Sequence, residues 1–333
     1  MRLATYNVEW FSNLFDDDGT LFDDGGWSGR RDVTRAEQTA ALGAVFQHMD
    51  ADGVMVIEAP DSHARRDGAA ALEGFADRFD LRARKATIGY VNETQQEIIF
   101  LHDPDLLNVA HDPRTDGAPR FDDPFKIDLD TDAQPETIRW SKPPLELAVT
   151  HTSGRSFRLI GVHAKSKAPH GARSEAEATR ISIANRRKQL AQCIWLRRRV
   201  DAHLEAGDDL IVMGDFNDGP GLDEYEKLFG RSGVEIVMGE GDATRLYDPH
   251  ARMALSRRLG AMPATARFKL PPDGRYLSAL LDYVMVSPGL RRLAPRWTIL
   301  HPFDHPACFD DKALCAALLT ASDHFPVVVD FDL

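Results

Sequence analysis

Val212-Met213-Gly214-Asp215-Phe216-Asn217-Asp218 is the stretch on which the reading of this chain turns. An apolar run over 210–214 reads as a buried strand that stops at a glycine and then presents a carboxylate and a carboxamide two residues apart. Alternation along an extended chain puts Asp215 and Asn217 on one side. A carboxylate there can orient or deprotonate water, and an amide beside it can donate to a phosphoryl oxygen without adding repulsive charge. Taken alone, the stretch reads equally as a turn at a strand end.

Outward from it, the same event recurs. Apolar strands over 3–8, 53–57 and 157–163 reach Asn7 and Glu9, Glu58, and His163 with Lys165 and Lys167. Asp282 opens a strand over 283–287, and Ser322-Asp323-His324 precedes another over 327–331. Further strands are predicted over 97–101 and 145–150, and amphipathic helices over 34–48 and 174–203. Strands alternating with helices, without an internal repeat, give a layered α/β protein. Buried carboxylates are costly unless paired, so Asp282 calls for a partner such as His324.

The 333 residues carry 40 Lys+Arg against 52 Asp+Glu, a net charge of -12. That balance weighs against a protein that grips nucleic acid through a broad basic face, but not against an enzyme that neutralises phosphate locally with a metal ion. Three cysteines do not suggest a disulfide scaffold. No apolar run is long enough for a membrane span, and residues 1–8 read as a strand rather than a leader, so the expectation is a cytoplasmic chain, or an exported one if a leader was removed. Length and composition fit a single domain over 1–333, with surface insertions at 103–136, rich in acids and prolines, and at 301–320. His301, His305, Cys308 and Cys315 match no standard zinc spacing and are read as packing residues. Arg180, Arg186, Arg187, Lys188, Arg197, Arg198 and Arg199 on the long helix read as a solvated face, with phosphate contact as the alternative.

In their order, Asn7, Glu58, His163, Gly214-Asp215-Phe216-Asn217, Leu281-Asp282-Tyr283 and Ser322-Asp323-His324 resemble the endonuclease/exonuclease/phosphatase superfamily, the fold of pancreatic deoxyribonuclease and the abasic-site endonucleases. Ser141-Lys142-Pro143-Pro144-Leu145 and His163-Ala164-Lys165-Ser166-Lys167 also resemble elements of its bacterial extracellular-nuclease-like members, with Lys142 in place of an arginine. The resemblance implies a four-layered α/β sandwich, two mixed sheets packed face to face with helices outside and the site at one end. It implies Glu58 as principal metal ligand with Asp323 and Asn7 nearby and Glu9 a further candidate. Asp215 would align water, Asn217 would hold the scissile phosphate, and His163 and His324 would complete the catalytic set. Glu97 would pair with His163, and Asp282 with His324.

Oxygen ligands suit one or two Mg²⁺ or Mn²⁺ ions, with Ca²⁺ as a further candidate. The resulting expectation is a metal-dependent phosphodiesterase, an endo- or exonuclease acting on DNA or RNA, monomeric by default. Lys142, Lys165, Lys167, Arg186 and Arg187 are candidates for contact with substrate phosphate. The rival readings are a phosphoesterase for a small phosphoester or phospholipid head group, and a catalytically silent binding module of the same fold.

Overall fold

The computed structural model describes residues 1–90, 92, 94, 96–128, 135–169, 171–219, 230–241, 244–256, 262–270 and 274–332. In chain order the elements are β1 (Arg2–Asn7), α1 (Arg35–Met49), β2 (Gly53–Ala59), α2 (Gly68–Arg78), β3 (Lys85–Ile88), β4 (Glu97–His102), β5 (Leu107–His111), β6 (Phe125–Ile127), β7 (Glu136–Ile138), β8 (Leu145–His151) and β9 (Ser156–His163). There follow α3 (Glu175–Glu205), β10 (Leu210–Asp215), α4 (Gly233–Met238), α5 (Pro249–Leu255), β11 (Ala266–Lys269), β12 (Tyr276–Ala279), β13 (Asp282–Val286), α6 (Pro288–Arg291), β14 (Arg296–Ile299), α7 (Pro306–Asp310), α8 (Lys312–Ala321) and β15 (Val327–Asp330).

Two mixed sheets form the centre. The first has six strands in the order β14-β15-β1-β2-β4-β3, the second five in the order β13-β10-β9-β8-β5. Alternation sorts the side chains of each strand between two cores. Leu3, Met55, Ile57, Ile98, Phe100, Leu159, Ile211, Met213 and Val284 fill the space between the sheets. Tyr6, Val56, Ile99 and Leu101 point the other way, onto α1, α2 and α8. Ile160, Val162 and Val212 meet Trp195 and Leu196 of α3. The result is the four-layered sandwich. Helix α1 starts where a capping box fixes it: Glu37 N donates to Thr34 Oγ1 at 3.3 Å, and Thr34 N donates to the Glu37 carboxylate at 2.8 Å.

Three expectations need correction. The stretch 103–136 is not only a surface excursion, because β5 forms the edge of the second sheet, paired with β8 from Leu107↔His151 to His111↔Leu147. Within it, Phe121 and Phe125 also pack on Trp195, with ring centroids 5.7 and 5.0 Å apart. The stretch 301–320 supplies α7 and α8, whose Cys308, Leu314 and Leu318 belong to the core beneath α1. The basic residues of α3 do not all form a solvated face: Arg180 and Arg198 are exposed, but Arg186 and Arg199 are 1% and 0% exposed. Arg199 donates to the carbonyls of Arg114, Asp116, Ala118 and Pro119 and lies 3.0 Å from the Glu146 carboxylate. It clasps the 114–119 segment to the helix. Among the described residues, no helix is long and apolar enough to cross a membrane.

Candidate active site

At one end of the space between the sheets, the inward-facing positions that carry Leu3, Leu159, Met213 and Val284 further along are taken by Asn7, His163, Asp215 and Asp282. Register fixes their neighbours. Asp215 stands opposite His163 on β9 and opposite Asp282 on β13, so three ionisable groups form a row across the second sheet. From the first sheet, Asn7 Nδ2 donates to Asp215 Oδ2 at 3.0 Å, joining the two sheets at this point. Asn217, in the left-handed region at φ 49, turns back so that its backbone N donates to Asp215 Oδ1 at 2.7 Å and its Nδ2 to Asp215 Oδ2 at 2.9 Å. Gly214 makes the approach possible: it has φ +135, and a Cβ there would lie 2.1 Å from the Val162 carbonyl oxygen.

His324 Nδ1 and Asp282 Oδ2 are 2.7 Å apart, both groups buried. Asp282 is set in turn by Thr265, whose Oγ1 accepts from the Asp282 backbone N at 3.0 Å. Ser322 ties the ends of β1 and β15 together. Its Oγ donates to the Asn7 carbonyl at 2.8 Å and accepts from Glu9 N at 3.1 Å. Glu58 reaches the site because the β2–β4 pairing shifts register between Ile57 and Ala59 while Glu58 adopts φ 59. Its Oε2 accepts from Gln96 Nε2 at 2.6 Å.

The charges follow from burial and these partners. Burial pushes the Asp215 carboxyl up to about 7, with the Asp282 charge adding to it. Burial also raises the Glu58 carboxyl. Burial would discharge the His324 imidazole, yet the charge and hydrogen bond of Asp282 hold it well above its ordinary value, as an imidazolium. His163 goes the other way, driven far down by burial and then by the Lys142 ammonium. Lys142 Nζ lies 3.3 Å from His163 Nε2, and an ammonium can only donate, so the neutral ring accepts there.

These groups line a cleft of about 910 Å³. Lys142, Lys165 and Lys167 stand in its wall, while Phe268, Leu270 and Leu277 from β11, β12 and the chain beside them give it an apolar side. The donor set suits a hard cation. Asn7 Oδ1 is buried with no hydrogen-bond partner among the described residues, and Glu58 and Asp323 line the cleft beside it. Asp215, Asp282 and His324 also bring ligand atoms within 4.8 Å of one another, although His324 spends Nδ1 on Asp282.

Residues 4–324 match the model of the Endonuclease/Exonuclease/phosphatase family. The chain belongs to this family. Among solved structures, a truncated Caenorhabditis elegans TDP2 is similar at TM-score 0.53 and 15% identity, over 100% of this chain and 97% of that one. The 3' phosphatase NExo from Neisseria, bound to a product DNA hairpin, is similar at TM-score 0.51 and 15% identity, over 100% of each chain. A mannosyl-6-phosphatase from Bacteroides thetaiotaomicron gives 0.51 and 14%, again over 100% of each. No curated protein matches the chain. At these identities the likenesses establish the fold. As an endonuclease/exonuclease/phosphatase family protein the chain is a hydrolase of phosphoester bonds, and enzymes of this family typically depend on a divalent metal ion.

For this family member, the structure gathers Asn7, Glu9, Glu58, His163, Asp215, Asn217, Asp323 and His324 around one cleft, with Asp282 behind His324. Only one of the two expected carboxylate-histidine pairs forms. Glu97 stands opposite Ala59, beyond the register shift that turns Glu58 toward the histidine. Its carboxylate is taken by Asn92, whose Nδ2 donates at 2.6 Å. His163 instead faces Asp215 at 3.6 Å and Glu58 at 3.7 Å, and its buried Nδ1 has no partner among the described residues. Glu9 is held by Arg30 and by Trp10, whose Nε1 donates at 2.9 Å.

Among the basic candidates, Arg187 lies outside the cleft and pairs with Glu136 at 2.7 Å. Arg186 and Lys167 reach the cleft but also meet the buried Asp218, at 2.6 and 2.7 Å. Sequence reasoning missed Asp218 as their anchor, Gln96 on Glu58 and Trp10. Each adjoins a quoted motif, but its role depends on contacts between segments distant in sequence.

Proposed function

We propose that this hydrolase is a metal-dependent phosphodiesterase that cleaves nucleic acid, DNA or RNA, by in-line attack of water. The observation that carries the reading is local charge: in a chain of net charge -12, Lys142, Lys165 and Lys167 gather in the same cleft as Asp215 and the imidazolium of His324. With a divalent ion beside the carboxylates of Glu58 and Asp323, these cationic groups would offset the negative balance of the chain where a phosphate chain must lie. DNA in the Neisseria NExo structure, and single-stranded DNA product in a D. rerio TDP2 structure similar at TM-score 0.52 and 13% identity, agree with it.

Glu58, Asp323 and the Asn7 Oδ1 oxygen would hold Mg²⁺, or Mn²⁺ in its place, with Glu9 at the margin. When bound, such an ion supplies neutralising charge at the phosphoryl oxygens. Asp215, with a pKa raised to about 7, is suited to align a water and accept its proton near neutral pH. Asn7 and Asn217 fix both oxygens of that carboxyl, so its orientation is set before substrate arrives. His324, kept protonated by Asp282, donates to a phosphoryl or leaving oxygen. His163, neutral, contributes a hydrogen bond rather than a charge. Lys142, Lys165 and Lys167 meet the phosphates on either side of the scissile one.

The apolar side formed by Phe268, Leu270 and Leu277, together with the mannosyl-6-phosphatase neighbour, favours a second reading in which the substrate is a small phosphoester. The test is hydrolysis of bis-p-nitrophenyl phosphate and of single- and double-stranded DNA and RNA, with Mg²⁺, Mn²⁺, Ca²⁺ or EDTA, by wild type and Asp215→Ala. Polymer cleavage lost with EDTA and in the variant is the expected result. Turnover of the small diester alone moves the enzyme to the second reading.

A further inference from the structure

The cleft has one large aromatic side chain whose exposure the fold does not need. Trp10 follows the end of β1 and lines the cleft together with Asn7, Glu9 and Asp323. It is 48% exposed, although most of the aromatic residues nearby, such as Tyr6, Phe11 and Phe15, are buried. Its backbone lies in the left-handed region at φ 62, a costly conformation for a bulky residue, which the surroundings must impose. Backbone bonds hold the turn, with Asn13 N donating to the Trp10 carbonyl at 3.0 Å and Phe11 N to the Val8 carbonyl at 3.3 Å, and two side-chain contacts set the ring. Indole Nε1 donates to Glu9 Oε1 at 2.9 Å, while Arg30 holds the other carboxylate oxygen of Glu9. The backbone of Gly29 lies against the ring, where a Cβ would come within 2.8 Å of Trp10 Cγ. The ring is thus fixed in tilt, backed by peptide, and open toward the cleft.

A rigid, half-exposed aromatic ring beside a phosphate site is a stacking surface, and little conformational freedom is left to lose when a planar group settles on it. We infer that Trp10 is a specificity residue on which an unpaired nucleobase adjoining the scissile phosphate stacks, so that the enzyme prefers single-stranded segments or frayed ends to continuous duplex. The inference rests on the nucleic-acid reading above. Lysines in the same cleft meet the sugar-phosphate chain, and the indole meets a base, whose π-face every nucleotide offers; the preference is therefore for unpaired structure rather than sequence.

The test compares oligothymidylate with a base-free tetrahydrofuran phosphate oligomer of the same length, in Mg²⁺, using wild type, Trp10→Phe and Trp10→Ala. Trp10→Ala is expected to raise KM for oligothymidylate about 5- to 100-fold with kcat little changed, to leave KM for the base-free oligomer near that of wild type, and to be largely rescued in Trp10→Phe. A role confined to holding Glu9 would instead lower kcat equally on both oligomers, and that result overturns the inference while the nuclease reading stands. Absence of cleavage of any oligonucleotide by wild type overturns both. If wild type cuts only oligothymidylate, or Trp10→Ala fails to fold, fluorescence decides: in EDTA, oligothymidylate should quench tryptophan emission of wild type and not of Trp10→Phe, and an equal quench in the two overturns the inference.

Discussion

Asp215 carries a charge that its burial opposes. Its carboxyl is buried at the meeting of the two sheets, with Asp282 opposite it in register, and burial raises it to about 7. Asp215→Asn should therefore lower turnover by roughly three powers of ten while leaving the midpoint of urea unfolding unchanged or higher. Steady-state kinetics alongside a denaturation curve checks both halves. Gly214 is the opposite case. With φ +135 and the Val162 carbonyl in the space a Cβ would occupy, Gly214→Ala should cost on the order of 3 kcal/mol or more, read as a fall in the same midpoint.

At the level of elements, β13 owes its position to a residue on another segment. Asp248 caps α5 through the backbone N–H groups of His250 and Ala251, and its second oxygen accepts from Val284 N at 2.9 Å, in the strand that carries Asp282. Asp248→Ala should cost about 2–4 kcal/mol, one cap plus one buried N–H left unpaired, and should lower activity with it. Burial raises the Asp248 carboxyl to about 6, so between about pH 4 and pH 6 the folded chain holds a proton that the unfolded chain releases. Its contribution to stability thus falls as pH rises through that window and is constant above it. The stability difference between wild type and Asp248→Asn should change between pH 4 and 6 and stay flat from 7 to 8 in urea titrations.

The elements that were legible in sequence are those whose own residues carry the signal. Strands β1, β2, β9 and β10 are apolar runs stopped by a polar group, and α1 opens with Thr34 three residues before Glu37, so both the centre of the fold and most of the cleft could be read directly. What was not legible depends on partners far along the chain. The Glu97–His163 pairing fails because of a register shift between β2 and β4. The burial of Arg186 and Arg199 could not be inferred from α3, because their acceptors lie at Asp218 and at the carbonyls of 114–118. Strand β5 was obscured because only one residue of Leu107–His111 is fully buried, so an edge strand looked like loop.

Across the whole molecule, the site draws on both sheets and on residues from Asn7 to His324. A cation held by Asn7, Glu58 and Asp323, which only the fold brings together, would stabilise the folded chain alone. Addition of millimolar Mg²⁺ should raise Tm, EDTA should reverse the rise, and Asn7→Ala with Glu58→Gln should abolish it; differential scanning calorimetry of the two proteins is the check. The way the first sheet is assembled also has a consequence for biosynthesis. Strand β15 lies between β14 and β1, immediately after Asp323 and His324. The chain must be made through 324 before the His324 imidazole can reach Asp282, and through 330 before β1 acquires its full pairing with β15. Every shorter nascent chain lacks the complete strand that joins β14 to β1. The first sheet, which carries Asn7 and Glu58, is thus completed by the same late segment that brings His324 to Asp282, so its assembly waits on some of the longest-range contacts in the chain.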